Sequence, residues 1–198
     1  MALRVVHPIE QESYRILRER IDLSHLPPLS RAVAERVIHA SADIGFADSL
    51  LLDEEALARG RAALAVDAPV VCDARMTAVG ITSRRPLVPL ADPRAAELAR
   101  AEGLTRTAAA MRLAAREVGA GAVWVVGNAP TALFELLEHP PPDPALIVGL
   151  PVGFVGAAEA KEALARSALP CVTNRGERGG SAVAVAAVNA LVYAEDPA

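Results

Sequence analysis

Four short apolar runs, separated by helical segments, constrain the fold of this chain more than any other feature of its sequence. They lie within residues 68–76, 121–129, 144–153 and 169–176. Each run is continuously apolar rather than alternating, which is typical of strands that helices cover on both faces. Strands that alternate with helices along the chain predict βαβ units and a parallel sheet.

Apolar residues at helical spacing predict the helices. Those before the first strand occupy residues 9–21, 29–43 and 53–65, and those after it occupy 106–119, 130–139, 156–168 and 179–194. Ser30 is the predicted N-cap of the second helix. Because parallel crossovers are right-handed, the simplest fold class is a three-layer α/β/α sandwich with a mainly parallel, flavodoxin-like sheet.

The sequence predicts a single domain over residues 1–198. No internal repeat or low-complexity linker divides it, and the proline-rich segment EHPPPDP, residues 138–144, is interpreted as a stiff loop. Apolar residues make up 53% of the chain and aromatic residues only 3%, so the core must consist mainly of Ala, Val, Leu and Ile.

The charge balance argues against two classes of partner. The formal net charge is −4, and no block of basic residues occurs, so neither nucleic acid nor an anionic membrane surface is expected. No apolar run reaches the length of a membrane span, and the N-terminal segment lacks the apolar core of a signal peptide. The cytoplasm is therefore the expected location.

Neither the cysteines nor the histidines predict a metal site. Cys72 and Cys171 lie far apart in apolar runs, which favours two reduced thiols in strands. His7, His25 and His139 are isolated, with no second histidine one helical turn away and no cysteine beside them.

Polar and glycine-rich residues follow each predicted strand, at the edge of the sheet where ligands of such folds bind. They occupy 73–75, 127–130, 151–154 and 173–176. The segment RGGS, residues 178–181, opens the last helix, and its free N–H groups together with Arg178 could hold a phosphate or a carboxylate. An ordinary flexible helix start is the alternative. A Walker sequence is absent, and the GAG at 119–121 precedes its strand, whereas a dinucleotide fingerprint follows one.

One histidine stands inside a predicted helix among small residues, in the segment ERVIHASAD, residues 35–43. The small residues that follow His39 would let a large flat ligand approach. Asp43, four residues further on, could contact the imidazole and favour its protonated form. An imidazole is well suited to act as a general acid near neutral pH. A purely structural histidine is the alternative reading of the same pattern.

Six segments, taken in order, resemble the precorrin-8X methylmutase family of cobalamin biosynthesis, and the resemblance runs from about His7 to Leu191. They are HPIEQESYRILRE, RVIHASAD, CDARMTAVGI, GNAPTALFELLE, PVGFVGAAEAKEAL and TNRGERGGSAVAVAAVNAL.

The resemblance implies an isomerase. It would move a methyl group from C-11 to C-12 of ring C of precorrin-8X, giving hydrogenobyrinic acid, or act on cobalt-precorrin-8 in the anaerobic route. The migration is usually drawn as a 1,5-sigmatropic shift, which needs no nucleophile, metal or redox cofactor, so none is expected. The family's catalytic histidine falls on His39, which would protonate a ring nitrogen. The family also implies a homodimer with its pockets near the subunit interface.

The implied substrate carries acetate and propionate groups, so its site calls for arginines and backbone N–H groups around an apolar floor. Ser13 and Tyr14 resemble the family's N-terminal pocket residues, and Thr82 and Ser83 could reach the rim. The complete set of predicted substrate-binding residues is Ser13, Tyr14, Arg15, Thr82, Ser83, Arg112, Asn128, Arg178, Gly179, Gly180 and Ser181. For each arginine, a solvated surface charge is the alternative, and Arg84 and Arg85 are interpreted as surface residues.

Two other functions compete with this hypothesis. A flavin- or nucleotide-binding module of the same fold would need a phosphate loop after the first strand, where CDARMTAVGI lacks the necessary density of Ser, Thr and Gly. A non-catalytic carrier would bind the corrinoid without converting it.

Overall fold

The four predicted apolar runs form the parallel strands of one sheet. A computed structural model describes residues 7–194, and its strands are β1 (Leu50–Leu51), β2 (Val70–Cys72), β3 (Val123–Val126), β4 (Leu146–Gly149) and β5 (Cys171–Asn174). The order across the sheet is β1-β5-β4-β3-β2. Strands β2 to β5 are parallel, and the two-residue strand β1 pairs antiparallel with β5.

The helices of residues 7–194 include every helix that the sequence predicts, together with three short or polar ones that it does not. They are α1 (Pro8–Arg20), α2 (Pro28–Ser41), α3 (Phe46–Ser49), α4 (Glu54–Ala65), α5 (Arg75–Gly80), α6 (Pro93–Glu102), α7 (Arg106–Glu117), α8 (Pro130–Glu138), α9 (Ala157–Arg166) and α10 (Ser181–Tyr193). Within this part of the chain, no helix combines the length and hydropathy needed to cross a membrane.

Two apolar cores lie on opposite faces of the sheet, because successive strand residues point to opposite sides. Val123 and Val125 of β3 pack with α2, α4 and α10, whereas Trp124 and Val126 pack with α7, α8 and α9. The three-layer α/β/α class with a mainly parallel sheet is therefore confirmed.

The four parallel strands follow one another across the sheet in sequence order. The reversal of direction found in the 2-1-3-4-5 order of flavodoxin does not occur among them. Right-handed crossovers that always advance in one direction place their helices on one face, which explains why α7, α8 and α9 share a layer. The main helices of the other layer, α2, α4 and α10, lie outside these crossovers.

The start of α2 differs from the prediction that Ser30 is its N-cap. The helix begins at Pro28, and Ser30 lies inside its first turn. The carboxylate of Glu54, at the start of α4, accepts hydrogen bonds from the backbone N–H groups of Leu29 and Ser30, each at 2.8 Å, and from the Ser30 hydroxyl at 2.7 Å. An anion from another helix thus satisfies the free donors at this terminus, which makes a local cap unnecessary.

Candidate active site

His39 lies in the last turn of α2 and faces α1, where it contacts two other predicted site residues. Its Nδ1 is 2.8 Å from Oγ of Ser13. Its ring stacks on Tyr14, with the ring centroids 4.8 Å apart and the planes inclined by 9°. His39 is half-buried and Ala40 beside it is exposed. The imidazole is therefore fixed in orientation but not enclosed in the core.

The two ring nitrogens of His39 have different environments. Ser13 engages Nδ1, and no described residue forms a hydrogen bond with Nε2. When the Ser13 hydroxyl donates to Nδ1, Nε2 carries the hydrogen of the neutral imidazole. In this state Nε2–H can donate a hydrogen bond to a ligand. In the imidazolium form both ring nitrogens are donors, so Nδ1–H donates to the Ser13 hydroxyl and Nε2–H can act as general acid.

An ion pair also joins α1 to α2, next to the contacts of His39. Arg18 of α1 donates from Nε and Nη2 to the two carboxylate oxygens of buried Glu35, at 2.9 and 2.7 Å. The guanidinium carbon of Arg18 also lies 5.7 Å from the centroid of the Tyr14 ring. Because Glu35 stands one helical turn before His39, this pair and the His39 contacts hold α1 and α2 together at consecutive turns.

Within residues 7–194, Asp43 forms no hydrogen bond or ion pair with His39 and pairs with Arg178 instead, which corrects the expectation from sequence spacing. The helix α2 ends at Ser41, and Ala42 adopts a left-handed conformation with φ of 53°. Asp43 therefore lies beyond the helix, where a side chain four residues on no longer sits above the imidazole. Its carboxylate accepts a hydrogen bond from Nη1 of Arg178 at 2.7 Å, and this bond holds the pKa of Asp43 below its usual value.

Arg178 is anchored at the end of the helix that carries His39. Besides Asp43, its guanidinium binds the carbonyl oxygen of Gly45 at 3.1 Å and lies 5.4 Å from the centroid of the Phe46 ring. The backbone N–H of Gly180 donates to the carbonyl of Leu150 at 2.8 Å, and no side chain caps the start of α10. The structure thus brings the predicted RGGS segment to the same end of α2.

Asp73 is a site residue to which the sequence analysis assigned no role. It follows β2, is 1% exposed, and accepts hydrogen bonds from the backbone N–H groups of Gly127, Asn128 and Ala129 at 3.2, 2.7 and 2.8 Å. These donors precede α8, at the position where a phosphate would bind in a nucleotide-binding protein. The protein's own carboxylate occupies them, which argues against the nucleotide- or flavin-binding alternative at this helix.

The Asp73 cluster continues to the start of α10. The hydroxyl of Thr77 donates to Asp73 at 3.0 Å and lies 2.9 Å from the hydroxyl of Ser181. Ser181 is buried, so its side chain stabilises the packing of α5 against α10. The backbone of Asn128 is used by Asp73, and only its exposed side chain remains for a ligand.

The structure does not bring Arg112 together with His39. Arg112 lies on α7, on the opposite face of the sheet from α2, and is buried. Its guanidinium binds the carboxylates of Glu135 and Glu102. We therefore assign Arg112 to the packing of α6, α7 and α8 rather than to substrate.

Arg15 lies beside Ser13 and Tyr14 on α1 but is exposed and pairs with Glu12 and Glu19 of its own helix. It remains at the edge of the site, although carboxylates of the protein already neutralise it.

Thr82 and Ser83 are exposed after α5. The Thr82 hydroxyl lies 3.4 Å from that of Tyr193, whose ring centroid is 5.6 Å from the guanidinium of Arg36. Arg36 stands three residues before His39, so the side chains of Tyr193 and Arg36 connect Thr82 to the His39 helix.

One group of described residues has the spacing of metal ligands. One ligand atom from each of Glu135, Glu138 and His139 lies within 4.8 Å of the others. Glu135 is already paired with Arg112, and the group lies on the layer opposite to His39. It is therefore no part of the candidate site.

Comparison with known proteins gives consistent matches over nearly the whole chain. A family model described as precorrin-8X methylmutase matches residues 8–194. The precorrin-8X methylmutase of Pseudomonas aeruginosa is 46% identical over 194 residues, covering 92% of this chain and 93% of that protein. The cobalt-precorrin-8 methylmutase of Salmonella typhimurium is 41% identical over 197 residues, 93% of each chain. A crystal structure of the precorrin-8X methylmutase from Thermus thermophilus has a TM-score of 0.83 at 36% identity and covers 93% of each chain.

The fold and these matches define an α/β isomerase of the methylmutase type. The chain belongs to the precorrin-8X methylmutase family. It is an enzyme of cobalamin biosynthesis, which confirms the resemblance found in the sequence.

Proposed function

We propose that this enzyme moves a methyl group from C-11 to C-12 of precorrin-8X to give hydrogenobyrinic acid, with His39 as the proton donor to a ring nitrogen. The observation that carries the proposal is the fixed orientation of His39. Ser13 holds Nδ1 and Tyr14 stacks on the ring, which leaves Nε2 for the macrocycle. A donor held in one direction transfers its proton without first having to be reoriented.

The chemistry makes modest demands on the protein. The bond between the methyl group and C-11 breaks as the bond to C-12 forms, within one molecule, so no side chain has to act as nucleophile. Substrate and product are isomers, so a proton that His39 gives to the macrocycle must return to it by the end of the turnover. An imidazole suits this exchange because it both donates and accepts protons near neutral pH.

Carboxylate recognition is the second part of the proposal. Arg178 and the uncapped start of α10, at Gly179 to Ser181, would bind acetate or propionate groups of the substrate. Two observations support this role: Arg178 is fixed at the end of the helix that carries His39, and Gly180 provides no side chain to fill the helix start. Arg15, the side chain of Asn128, and Thr82 and Ser83 would contribute at the periphery.

We further propose that the enzyme is a cytoplasmic homodimer with its sites near the interface. Three apolar side chains after β4 support this assembly, because Val152, Phe154 and Val155 are 47%, 91% and 88% exposed in one chain. They follow the carboxyl end of a strand, at the edge of the sheet where Arg178 lies. A second subunit that covers them would also shield the bound macrocycle from water.

Replacing His39 by alanine tests the proton-donor role. We expect His39→Ala to bind the macrocycle but to lose turnover, as followed by the visible spectrum of the corrin chromophore. His25→Ala is a matched control, because His25 lies in an exposed turn and its loss should leave the rate unchanged. Full activity of His39→Ala would contradict the role.

The same assay separates the remaining alternatives. Turnover of cobalt-precorrin-8 but not of the metal-free substrate would assign the enzyme to the anaerobic route. Binding of both without turnover by the unaltered protein would favour the carrier. Purified protein that is yellow and shows flavin fluorescence would favour the flavin-binding alternative.

A further inference from the structure

Lys161 is the only lysine in the sequence, in which the other 19 of the 20 Lys and Arg residues are arginines. It lies on α9 and is 0% exposed. Removing an ammonium group from water costs free energy unless hydrogen bonds replace its hydration. The one lysine of the chain thus lies at a buried position, where a charged group is costly to accommodate.

The hydrogen bonds of Lys161 converge on the loop that leads to α10. Its Nζ donates to the carbonyl oxygen of Arg178 at 2.5 Å and to Oδ1 of Asn174 at 3.1 Å. Asn174, at the end of β5, donates from Nδ2 to the carbonyls of Arg178 and Arg175, at 2.9 and 3.0 Å. The carbonyl of Arg178 therefore accepts from both buried side chains, which fix the loop from its inner side.

The outer side of the same loop is attached to α2. The side chain of Arg178 binds Asp43 and the carbonyl of Gly45 beyond the end of that helix. A Cβ atom at Gly45 would lie 2.5 Å from Nη1 of Arg178, so a larger residue there would displace the guanidinium from its present position. Contacts thus run without a gap from the Lys161 ammonium, through the backbone and side chain of Arg178, to the helix that carries His39.

We propose that Lys161 is a positioning residue of this enzyme, which fixes the loop of residues 175–178 so that Arg178 and the start of α10 can bind a carboxylate of the substrate. The assignment rests on the proposed function, since it presumes that this loop binds substrate. Lysine suits the position because its compact head carries three donors on a slender stem, whereas the planar guanidinium of arginine needs more room.

The charge of Lys161 is consistent with this role at neutral pH. Burial, followed by the nearby charge of Arg178, lowers the pKa of Lys161 to about 8, and Glu177 opposes the shift. Below that pH the ammonium form prevails, and its hydrogen bonds to carbonyl and amide oxygens are stronger than those of a neutral amine.

Lys161→Met tests the proposal, because methionine retains the length of the side chain and removes its donors. We expect faster amide hydrogen exchange in residues 175–181 and a KM raised roughly tenfold, as for the loss of one charge-assisted hydrogen bond, with kcat within about twofold. Glu159→Gln on the exposed side of α9 is the matched control and should change none of these quantities.

Asn174→Ala provides an independent test if Lys161→Met does not fold. It removes the bonds to the same loop carbonyls and should change exchange and KM in the same direction. Where both variants fold, their effects should not add, because both residues hold the carbonyl of Arg178.

If a folded Lys161→Met variant shows unchanged amide hydrogen exchange in residues 175–181 and an unchanged KM, the role of Lys161 is overturned. A fall in kcat with no change in KM would overturn it as well. Failure of the proposed function would instead appear as full activity of His39→Ala, whatever the exchange of the loop. The two results are therefore distinguishable.

Discussion

His39 combines a fixed position with one unoccupied nitrogen, and its neighbour Ser13 determines which nitrogen that is. Ser13→Ala removes the hydrogen bond to Nδ1 but leaves the stacking with Tyr14 in place. We expect kcat to fall roughly five- to tenfold, the worth of about one hydrogen bond, because the ring can then rotate and exchange its tautomers. Ser24→Ala, in the exposed turn after α1, is the control. Identical kcat in Ser13→Ala and the unaltered enzyme would refute the orienting role.

A second prediction at this scale concerns the buried lysine. The pKa of Lys161 is about 8 in the folded protein, below its ordinary value of 10.5. Between these two pH values the unfolded chain therefore binds more protons than the folded chain. The lysine's contribution to the free energy of unfolding therefore rises with pH from about 8 to about 10.5.

Urea unfolding at several pH values between 7.5 and 10.5 gives the free energy of unfolding of the unaltered protein and of Lys161→Met. The difference between the two free energies measures the contribution of the lysine. Burial raises the pKa of Cys72 to about 12 and that of Cys171 to about 11, which acts in the opposite direction in both proteins and cancels. A difference that stays constant over this pH range would contradict the prediction.

The sequence placed His39 correctly inside a helix but suggested the wrong contact for its ring. Spacing along one helix suggested Asp43, and the helix ends before that residue. The true contact, Ser13, lies 26 residues earlier and meets His39 only because α1 packs on α2. Contacts between helices depend on tertiary packing, which periodicity within a single segment does not encode.

At the scale of elements, the start of α8 depends on a carboxylate from another strand. Asp73→Asn would turn the NH2 of the amide towards backbone N–H groups that now bind the carboxylate. We expect a loss of roughly 1–3 kcal/mol in the free energy of unfolding, the cost of leaving buried donors unpaired. Urea denaturation measures it, and Asp48→Asn, exposed in α3, is the control. Equal stability of the two variants would argue against this cap.

The sequence located all four parallel strands, because continuous apolar runs are a direct signature of strands buried on both faces. It missed α5, which follows β2 so closely that its first two residues, Arg75 and Met76, lie in the predicted strand segment 68–76. It also missed α6, although Asp92 caps that helix, Pro93 opens it and Gly103 ends it in a left-handed conformation. Only Ala95 of α6 is buried, so the apolar stripe that would have revealed the helix is nearly absent.

At the scale of the whole molecule, the exposed apolar segment after β4 is the feature that a second subunit would cover. Phe154→Glu should shift a dimer towards monomers without reducing the stability of the single chain, since Phe154 is 91% exposed. Analytical ultracentrifugation measures the shift. Val66→Glu, 79% exposed at the end of α4, is the control for adding a charge elsewhere. Unchanged association of Phe154→Glu would remove this segment from the proposed interface.

The sequential order of the strands has a consequence for how a macrocycle can be held. Where strand connections diverge, a doubly wound sheet splits into a crevice that receives its ligand. Here the connections from β2 to β5 all proceed in the same direction, so the topology creates no such crevice between these four strands. We expect a disc-shaped substrate to rest instead against the His39 helix at this edge of the sheet, with its outer face covered by the second subunit of the proposed dimer.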